Sequence, residues 1–324
     1  MTFDRFSNKI PSPCYVLEED KLRKNLEILQ KVEKEAGIEI LCALKGFAMW
    51  STFPLLSQYI SGATASSLFE AKLIAEEWGA KAHMCCPVYL EKDFAEITDL
   101  SSHVTFNSIN QYERFGSRAI KKGLSCGLRI NPEFSEIDVE LYNPASPDGR
   151  LGIRRDQLDV LPKEIEGLHV HVLCENNADT LVRLLKVIEE KFSAELHLVK
   201  WVNLGGGHHI TREDYDVELL ITTLRSFKRK YNVDLLLEPG EAVGWQTGYL
   251  LATVEDVVKG QNIDTAILDV SFTAHMPDCL EMPYQPDVTV NHKGEHRKYR
   301  LGGVSCLAGD YVGDYELPKL EVGQ

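Results

Sequence analysis

The 324-residue chain is 44% hydrophobic and 26% charged, an ordinary balance for a globular protein, and its formal net charge is −14. That acidity argues against nucleic acid or anionic membrane as a partner, since both need basic surface, and it is compatible with a cationic substrate. No apolar run approaches the ~20 residues that cross a bilayer, and MTFDRFSNKIPSPCYVL has no apolar stretch after its basic residues, so no secretory signal is expected. Eight cysteines, at positions 14, 42, 85, 86, 126, 174, 279 and 306, form no CxxC pair. Several lie in apolar runs, as small buried hydrophobes do in a reducing compartment, and the expected location is cytoplasmic.

In chain order, the first strand candidate is PSPCYVL. Eight more follow: Glu39–Leu44, Ala63–Ser66, Ala82–Cys86, Val104–Asn107, Ser125–Ile130, Gly167–Val172, Trp201–Leu204 and Asp234–Leu237. Between most of them lie runs of helical spacing, such as SLFEAKLIAEEWGA, NQYERFGSRAIKKG, ADTLVRLLKVIEEKF and REDYDVELLITTLRSFKRKY. Gly79 reads as a helix stop, and Ser108 or Asn110, and later Asp179, as caps. Strand and helix alternating in this way predict a (β/α)8 TIM-type barrel over residues 19–245. After Glu238-Pro239-Gly240 the texture becomes β-like in YLLATVEDVVKG, TAILDVSF, PDVTVNHK and KYRLGGVSC, followed by a turn-like GDYVGDYELP. The expectation is a small β-domain over 246–324, joined by residues 1–18.

Barrel active sites sit at the C-terminal ends of the strands. Those ends carry Lys45, Arg129, His171, the Gly205-Gly206-Gly207 run and Glu238. A lysine closing an apolar strand is a candidate Schiff-base amine. Glycines can offer backbone N–H groups to a phosphate, a carboxylate can hold a pyridine nitrogen protonated, and an imidazole can stack on a ring. Together these types suit a phosphate-bearing aromatic aldehyde. Each also has a plainer explanation: a strand-end lysine reaching solvent, a glycine turn, an arginine paired with a carboxylate, a loop acid. His169 and His171 point the same way on one strand, and either could be a core histidine. His208-His209 lack further ligands at metal spacing, so no metal is expected.

With these residues in view, the chain resembles the alanine racemase-fold (type III) pyridoxal-phosphate decarboxylases. CALKGF is similar to their lysine motif, GLHVHV to the ring-stacking histidine motif, LGGG to the phosphate loop and EPG to the pyridine-contacting glutamate. GGVSCLAGD resembles the cysteine motif that reaches into a partner subunit's site. Within that family, ALKGFAMWSTFP, GATASSLFEAKL, NPASPDGRLGI, LDVSFTAHMPDCLEMPY and SCLAGD are similar to the carboxynorspermidine (carboxyspermidine) decarboxylases, a resemblance that runs from Ile10 onward.

The resemblance implies pyridoxal 5'-phosphate held by Lys45, with His171 on the ring, Glu238 at the pyridine nitrogen and Arg129 nearby. Gly206, Gly207 and Gly240 would hold the phosphate. Cys306 of a second subunit would deliver a proton to the substrate carbon. Asp278, with His275, Glu281 and Asp310, would meet the polyamine substrate. The implied reaction is decarboxylation of carboxynorspermidine or carboxyspermidine to norspermidine or spermidine in polyamine biosynthesis, by a homodimer with shared active sites.

Two departures stand out. Leu307 follows the cysteine where ornithine and diaminopimelate decarboxylases usually have an acid, and Glu241 follows EPG where they often have arginine. The family also continues some tens of residues past the position of Gln324, with a strand and a tyrosine, so the β-domain is expected to be truncated. The alternatives are a diaminopimelate-type amino-acid decarboxylase and a non-catalytic pyridoxal-phosphate-binding fragment.

Overall fold

A computed structural model describes residues 10–137, 139–282 and 284–324; most of the N-terminal stretch read for a secretory signal lies outside them. The chain divides into two units, Glu19–Thr247 and a smaller one made of the segments up to Glu18 and from Gly248 onward. β1 (Cys14–Leu17) belongs to the smaller unit. The larger is a closed barrel of β2 (Glu39–Ala43), β3 (Gly62–Ala65), β4 (Ala82–Cys85), β5 (Ser101–Phe106), β6 (Ser125–Arg129), β7 (Gly167–His169), β8 (Trp201–Asn203) and β9 (Asp234–Leu237). Every neighbouring pair is parallel, and β2 closes on β9 through Glu39↔Leu236 and Ile40↔Leu237. The fold class and the eight strand positions agree with the sequence expectation.

The strands are short and almost wholly buried, so amphipathic helices must cover their outer face. The helix Glu19–Ala36 buries Leu22, Leu26, Leu29 and Val32 along one stripe, with acids in its first turn. Ser108, rather than Asn110, caps Ile109–Lys121 by accepting from Gln111 N–H. Gly79 ends its helical run at φ 72°. Asp179 is not a cap: Asn177 holds that position before Ala178–Leu196, and Asp179 pairs with Arg183 one turn on. The helix expected across REDYDVELLITTLRSFKRKY spans only Val217–Tyr231, because Asp216 accepts from Leu219 N–H and so starts it late. Between β6 and β7 only 3-10 turns occur among the described residues, in a stretch holding Pro132, Pro144 and Pro147.

Inside the barrel, the Trp201 ring fills space that side chains at 127 and 167 would otherwise use. A Cβ on Gly127 would come within 2.4 Å of that ring, and one on Gly167 within 2.0 Å. Glycine inside these two strands is therefore a packing requirement.

In the smaller unit β1 pairs antiparallel with β10 (Gly248–Leu251) as a two-stranded sheet. A separate sheet runs β11 (Val254–Val258), β12 (Asp264–Leu268), β13 (His296–Gly302), β14 (Tyr311–Pro318). Two expectations fail here. The turn-like GDYVGDYELP is mostly β14, because Val312 and Leu317 bury into the sheet core and Arg300 of β13 pairs with Asp314 at 2.9 Å. PDVTVNHK is not a strand. Its alternating Val288 and Val290 pack against the same core, which satisfies the hydrophobic pattern without a ladder partner.

Candidate active site

Lys45 follows β2 by two residues, and Arg129 and His169 are the last residues of β6 and β7. His171 lies two beyond β7, the glycine run two beyond β8, and Glu238 directly after β9. Because the barrel is closed and parallel, all of these emerge at one end.

Two hydrogen-bonded groups organise that end. In the first, His171 Nδ1 accepts from the Gly206 N–H at 3.0 Å, and its Nε2 lies 3.1 Å from Lys45 Nζ. Nδ1 takes the Gly206 N–H, so Nε2 is the ring atom turned to the lysine nitrogen. His171 is kept neutral because burial lowers its pKa well below the ordinary value, helped by the charges of Lys45 and Arg129. Arg129 is buried, and its Nη2 donates to the His171 carbonyl at 3.1 Å, fixing the backbone under the ring.

In the second group, Glu238 Oε1 accepts from Asn203 Nδ2 at 2.7 Å, and Oε2 lies 3.2 Å from His169 Nε2. Burial works against the Glu238 charge, but His169 and then Asn203 outweigh it and bring its pKa down to about 2. His169 behaves as the mirror image. Burial lowers its pKa, yet Cys85 and Glu238 carry it up to about 9. Cys85 Sγ stands 3.9 Å from His169 Nδ1.

The glycine turn ties the groups together. Asn203 Oδ1 accepts from Gly205 N–H at 2.9 Å, and Glu238 N–H donates to the Gly205 carbonyl at 2.8 Å. A Cβ on Gly206 would meet the Glu238 carbonyl oxygen at 2.3 Å, while Gly205 and Gly207 have φ of +70° and +82°. Gly240 packs on the lysine loop, its Cβ position 3.0 Å from Gly46 Cα. Among the described residues the N–H groups of Gly207 and Gly240 have no protein acceptor, whereas that of Gly206 is taken by His171.

The barrel therefore gathers Lys45, Arg129, His171, Gly206, Gly207, Glu238 and Gly240. The remaining candidates belong to the smaller unit. Asp278 and Glu281 are exposed on the short helix Asp278–Glu281, and half-buried His275 has its carbonyl bonded by Tyr15 Oη at 2.6 Å. Cys306 is exposed on the turn between β13 and β14. Asp310 is not an open carboxylate: it is 5% exposed, and its oxygens accept from Phe272 N–H at 2.7 Å and Ser305 N–H at 3.2 Å. His209 packs edge-on to Trp245 with centroids 4.3 Å apart, and neighbouring His208 is buried and pushed down to about 4 by burial.

Sequence reasoning missed Asn203 and Cys85 and left His169 open as a core histidine. For Asn203 and His169 the available signal was strand alternation, which places each one step from a residue already singled out, Gly205 and His171; Cys85 carried no such signal.

A closed barrel presenting an amine, a neutral imidazole and an ionised buried carboxylate at one end defines an α/β-barrel enzyme. Residues 14–324 match the family model "Pyridoxal-dependent decarboxylase, C-terminal sheet domain". The chain belongs to the pyridoxal-dependent decarboxylases, which are carboxy-lyases. It is 46% identical over 322 residues to the carboxyaminopropylagmatine decarboxylase of Synechocystis, a match covering 98% of this chain and 83% of that protein. It is also 46% identical over 333 residues to the carboxynorspermidine/carboxyspermidine decarboxylase of Campylobacter jejuni, covering 98% and 86%. The crystal structure of C. jejuni carboxynorspermidine decarboxylase complexed with norspermidine superposes with a TM-score of 0.86 at 44% identity, over 97% of this chain and 86% of that one. Diaminopimelate decarboxylases are more distant, as in Vibrio cholerae at 24% identity over 216 residues.

Proposed function

We propose that the barrel end holds pyridoxal 5'-phosphate and that the chain decarboxylates carboxynorspermidine or carboxyspermidine, giving norspermidine or spermidine. The observation that carries the cofactor reading is the Lys45–His171–Gly206 arrangement, a lysine nitrogen 3.1 Å from an imidazole anchored by the glycine turn. The donor set fits the group. Gly207 and Gly240 offer N–H groups to a phosphate, a Cβ at 206 would fill the close approach, and Glu238 is ionised.

When bound, the cofactor supplies an aldehyde that joins amines and a ring that accepts the electrons left as CO₂ departs. Lys45 provides the resident amine, and Nε2 of His171 faces it. Glu238, with Asn203 and His169 fixing both its oxygens, would be the carboxylate that keeps the ring nitrogen protonated. Arg129 braces the His171 backbone. Cys306 of a second copy returns the proton to the substrate carbon, so the working form is a homodimer. Asp278 and Glu281 supply anionic partners for the substrate's amines, with His275 beside them. Asp310, its oxygens occupied, serves to hold the Cys306 turn. Eight free cysteines suit a reducing, cytoplasmic setting.

A second reading concerns the substrate alone. The Synechocystis relative is equally identical and carries carboxyaminopropylagmatine in its name, so a guanidinium-ended substrate competes with an ammonium-ended one. Release of CO₂ from carboxynorspermidine, carboxyspermidine, carboxyaminopropylagmatine and diaminopimelate decides between them. Turnover confined to either of the last two compounds refutes the proposed substrate. Borohydride reduction followed by peptide mapping should find the pyridoxyl group on Lys45; its absence refutes the cofactor reading.

A further inference from the structure

Cys85, His169 and Glu238 come from three different strand ends, β4, β7 and β9, and form one line of contacts. Glu238 has an assigned task in the reading above; the other two do not. We propose that Cys85 and His169 are positioning residues that keep Glu238 ionised and in one orientation, with Cys85 occupying Nδ1 so that Nε2–H always faces the carboxylate. This inference rests on the pyridoxal-phosphate reading of the site.

The hydrogen-bond chemistry leaves little freedom. An ionised carboxylate only accepts, so His169 must carry a proton on Nε2, 3.2 Å from Oε2. Nδ1 then accepts from the Cys85 thiol or, if the ring is charged, donates to the thiolate 3.9 Å away. Both assignments satisfy every member of the line. Without a partner at Nδ1, the ring would stand 2% exposed with a free nitrogen, and the alternative tautomer would turn a lone pair on Glu238. Asn203 completes the grip on the other oxygen at 2.7 Å.

Charge in the surrounding wall favours the same state. Burial lowers the pKa values of His83 on β4, His103 on β5 and His171 beyond β7, so these rings stay neutral. Arg129 on β6 and His169 are then the cations facing Cys85 and Glu238. Burial raises the Cys85 pKa, but His169 and Arg129 together bring it below the ordinary thiol value.

The test uses the holoenzyme with ¹⁵N-histidine labelling and four proteins: wild type, Cys85→Ala, Cys85→Ser and His169→Gln. In wild type, His169 should stay protonated above the ordinary imidazole range, and Cys85→Ala should move its titration down by about one unit. His169→Gln keeps a donor but loses the charge. It should lower kcat about 10–100-fold with a smaller change in KM, the size expected for a hydrogen bond to a charged group. Cys85→Ala should lower kcat about tenfold and shift the alkaline limb of its pH profile downward, together with the visible absorbance of the bound cofactor. A serine hydroxyl is shorter than the thiol and cannot span the 3.9 Å to Nδ1, so Cys85→Ser should behave like Cys85→Ala while keeping a polar group of similar size. Identical His169 titration in wild type and Cys85→Ala overturns the proposal, as does a His169→Gln enzyme with wild-type kcat and pH profile. A wild-type protein that takes up no pyridoxal phosphate refutes the site reading instead, and the His169 titrations still report on the Cys85 contact.

Discussion

Substituting Asp310→Asn should loosen the turn that carries Cys306. The carboxylate accepts from Phe272 N–H at 2.7 Å and from Ser305 N–H at 3.2 Å, so it ties the residues around Cys306 to the segment holding His275. Asparagine has nearly the same shape but offers one acceptor oxygen. Its NH₂ must therefore face one of two backbone N–H groups, and the surviving bond loses its charge. A hydrogen bond to a charged group contributes about 1.5–3 kcal/mol, so losing one and weakening the other should cost about 2–4 kcal/mol. Burial raises the Asp310 pKa, but Ser305, the Phe272 N–H and Ser271 together hold it below 3.8. Its contribution is therefore present above the unfolded pKa and fades as pH falls through the lower folded value. Urea unfolding of wild type and variant at pH 7 measures the cost, and CO₂ release measures the function. We expect a lower midpoint at unchanged slope and a kcat reduced more than KM, with pyridoxyl trapping on Lys45 intact. A cost below about 0.5 kcal/mol, the range of inert surface changes, would refute the structural argument. Lost stability with unchanged kcat would refute the link to Cys306.

Two further outcomes follow from the barrel. Gly206→Ala places a Cβ 2.3 Å from the Glu238 carbonyl oxygen, and backbone cannot swing aside as a side-chain tip can. It should cost about 1–3 kcal/mol and abolish cofactor uptake, read by absorbance after dialysis against pyridoxal phosphate; uptake at the wild-type level would refute the cradle. His83 and His103 stack with centroids 3.8 Å apart, and burial, then His103, push His83 down to about 3 from 6.5. The folded ring stays neutral while the unfolded one binds a proton below 6.5, so stability should fall by about 2 kcal/mol between pH 8 and pH 5 on this account. His83→Phe keeps a ring on His103 and removes that slope; equal pH dependence of the urea midpoints would refute it.

The barrel was legible because its strands are apolar runs of the right length, separated by helices with clear stripes, and each of the eight runs became a strand. The β-domain was less so. In GDYVGDYELP the glycines and aspartates signal a turn, yet Val312 and Leu317 bury and Arg300 binds Asp314, and that long-range gain decides the matter. The reverse happened in PDVTVNHK, where alternation was real but Val288 and Val290 bury against the sheet core without joining its ladder. For the site, Lys45, His171 and Glu238 declared themselves by residue type at strand ends. Asp310 misled for the same reason. A carboxylate near a cysteine looks like a substrate contact until its two backbone partners, 38 and 5 residues away, are known.

Strand alternation also explains why the unrecognised residues stand where they do. On β4, His83 is followed two positions later by Cys85; on β6, Gly127 by Arg129; on β7, Gly167 by His169; on β8, Trp201 by Asn203. Residues two apart share a face, so the barrel interior has a lower tier and an upper one. The lower tier is filled by Trp201, the two glycines that admit its ring, and the neutral His83–His103 stack, with His103 edge-on to the indole at 5.6 Å. It is a floor of aromatic rings in which Trp201 is buried and the two histidines are half-buried. Charges placed directly above such a floor are poorly solvated from below, which strengthens their interactions with one another. The upper tier answers with a cation, an anion and an amide in mutual contact, His169, Glu238 and Asn203, rather than with isolated charges. Trp201 thus contributes to the site without touching it. Its bulk dictates glycine at 127 and 167, and positions 201, 127 and 167 lie one inward step below Asn203, Arg129 and His169 on their strands.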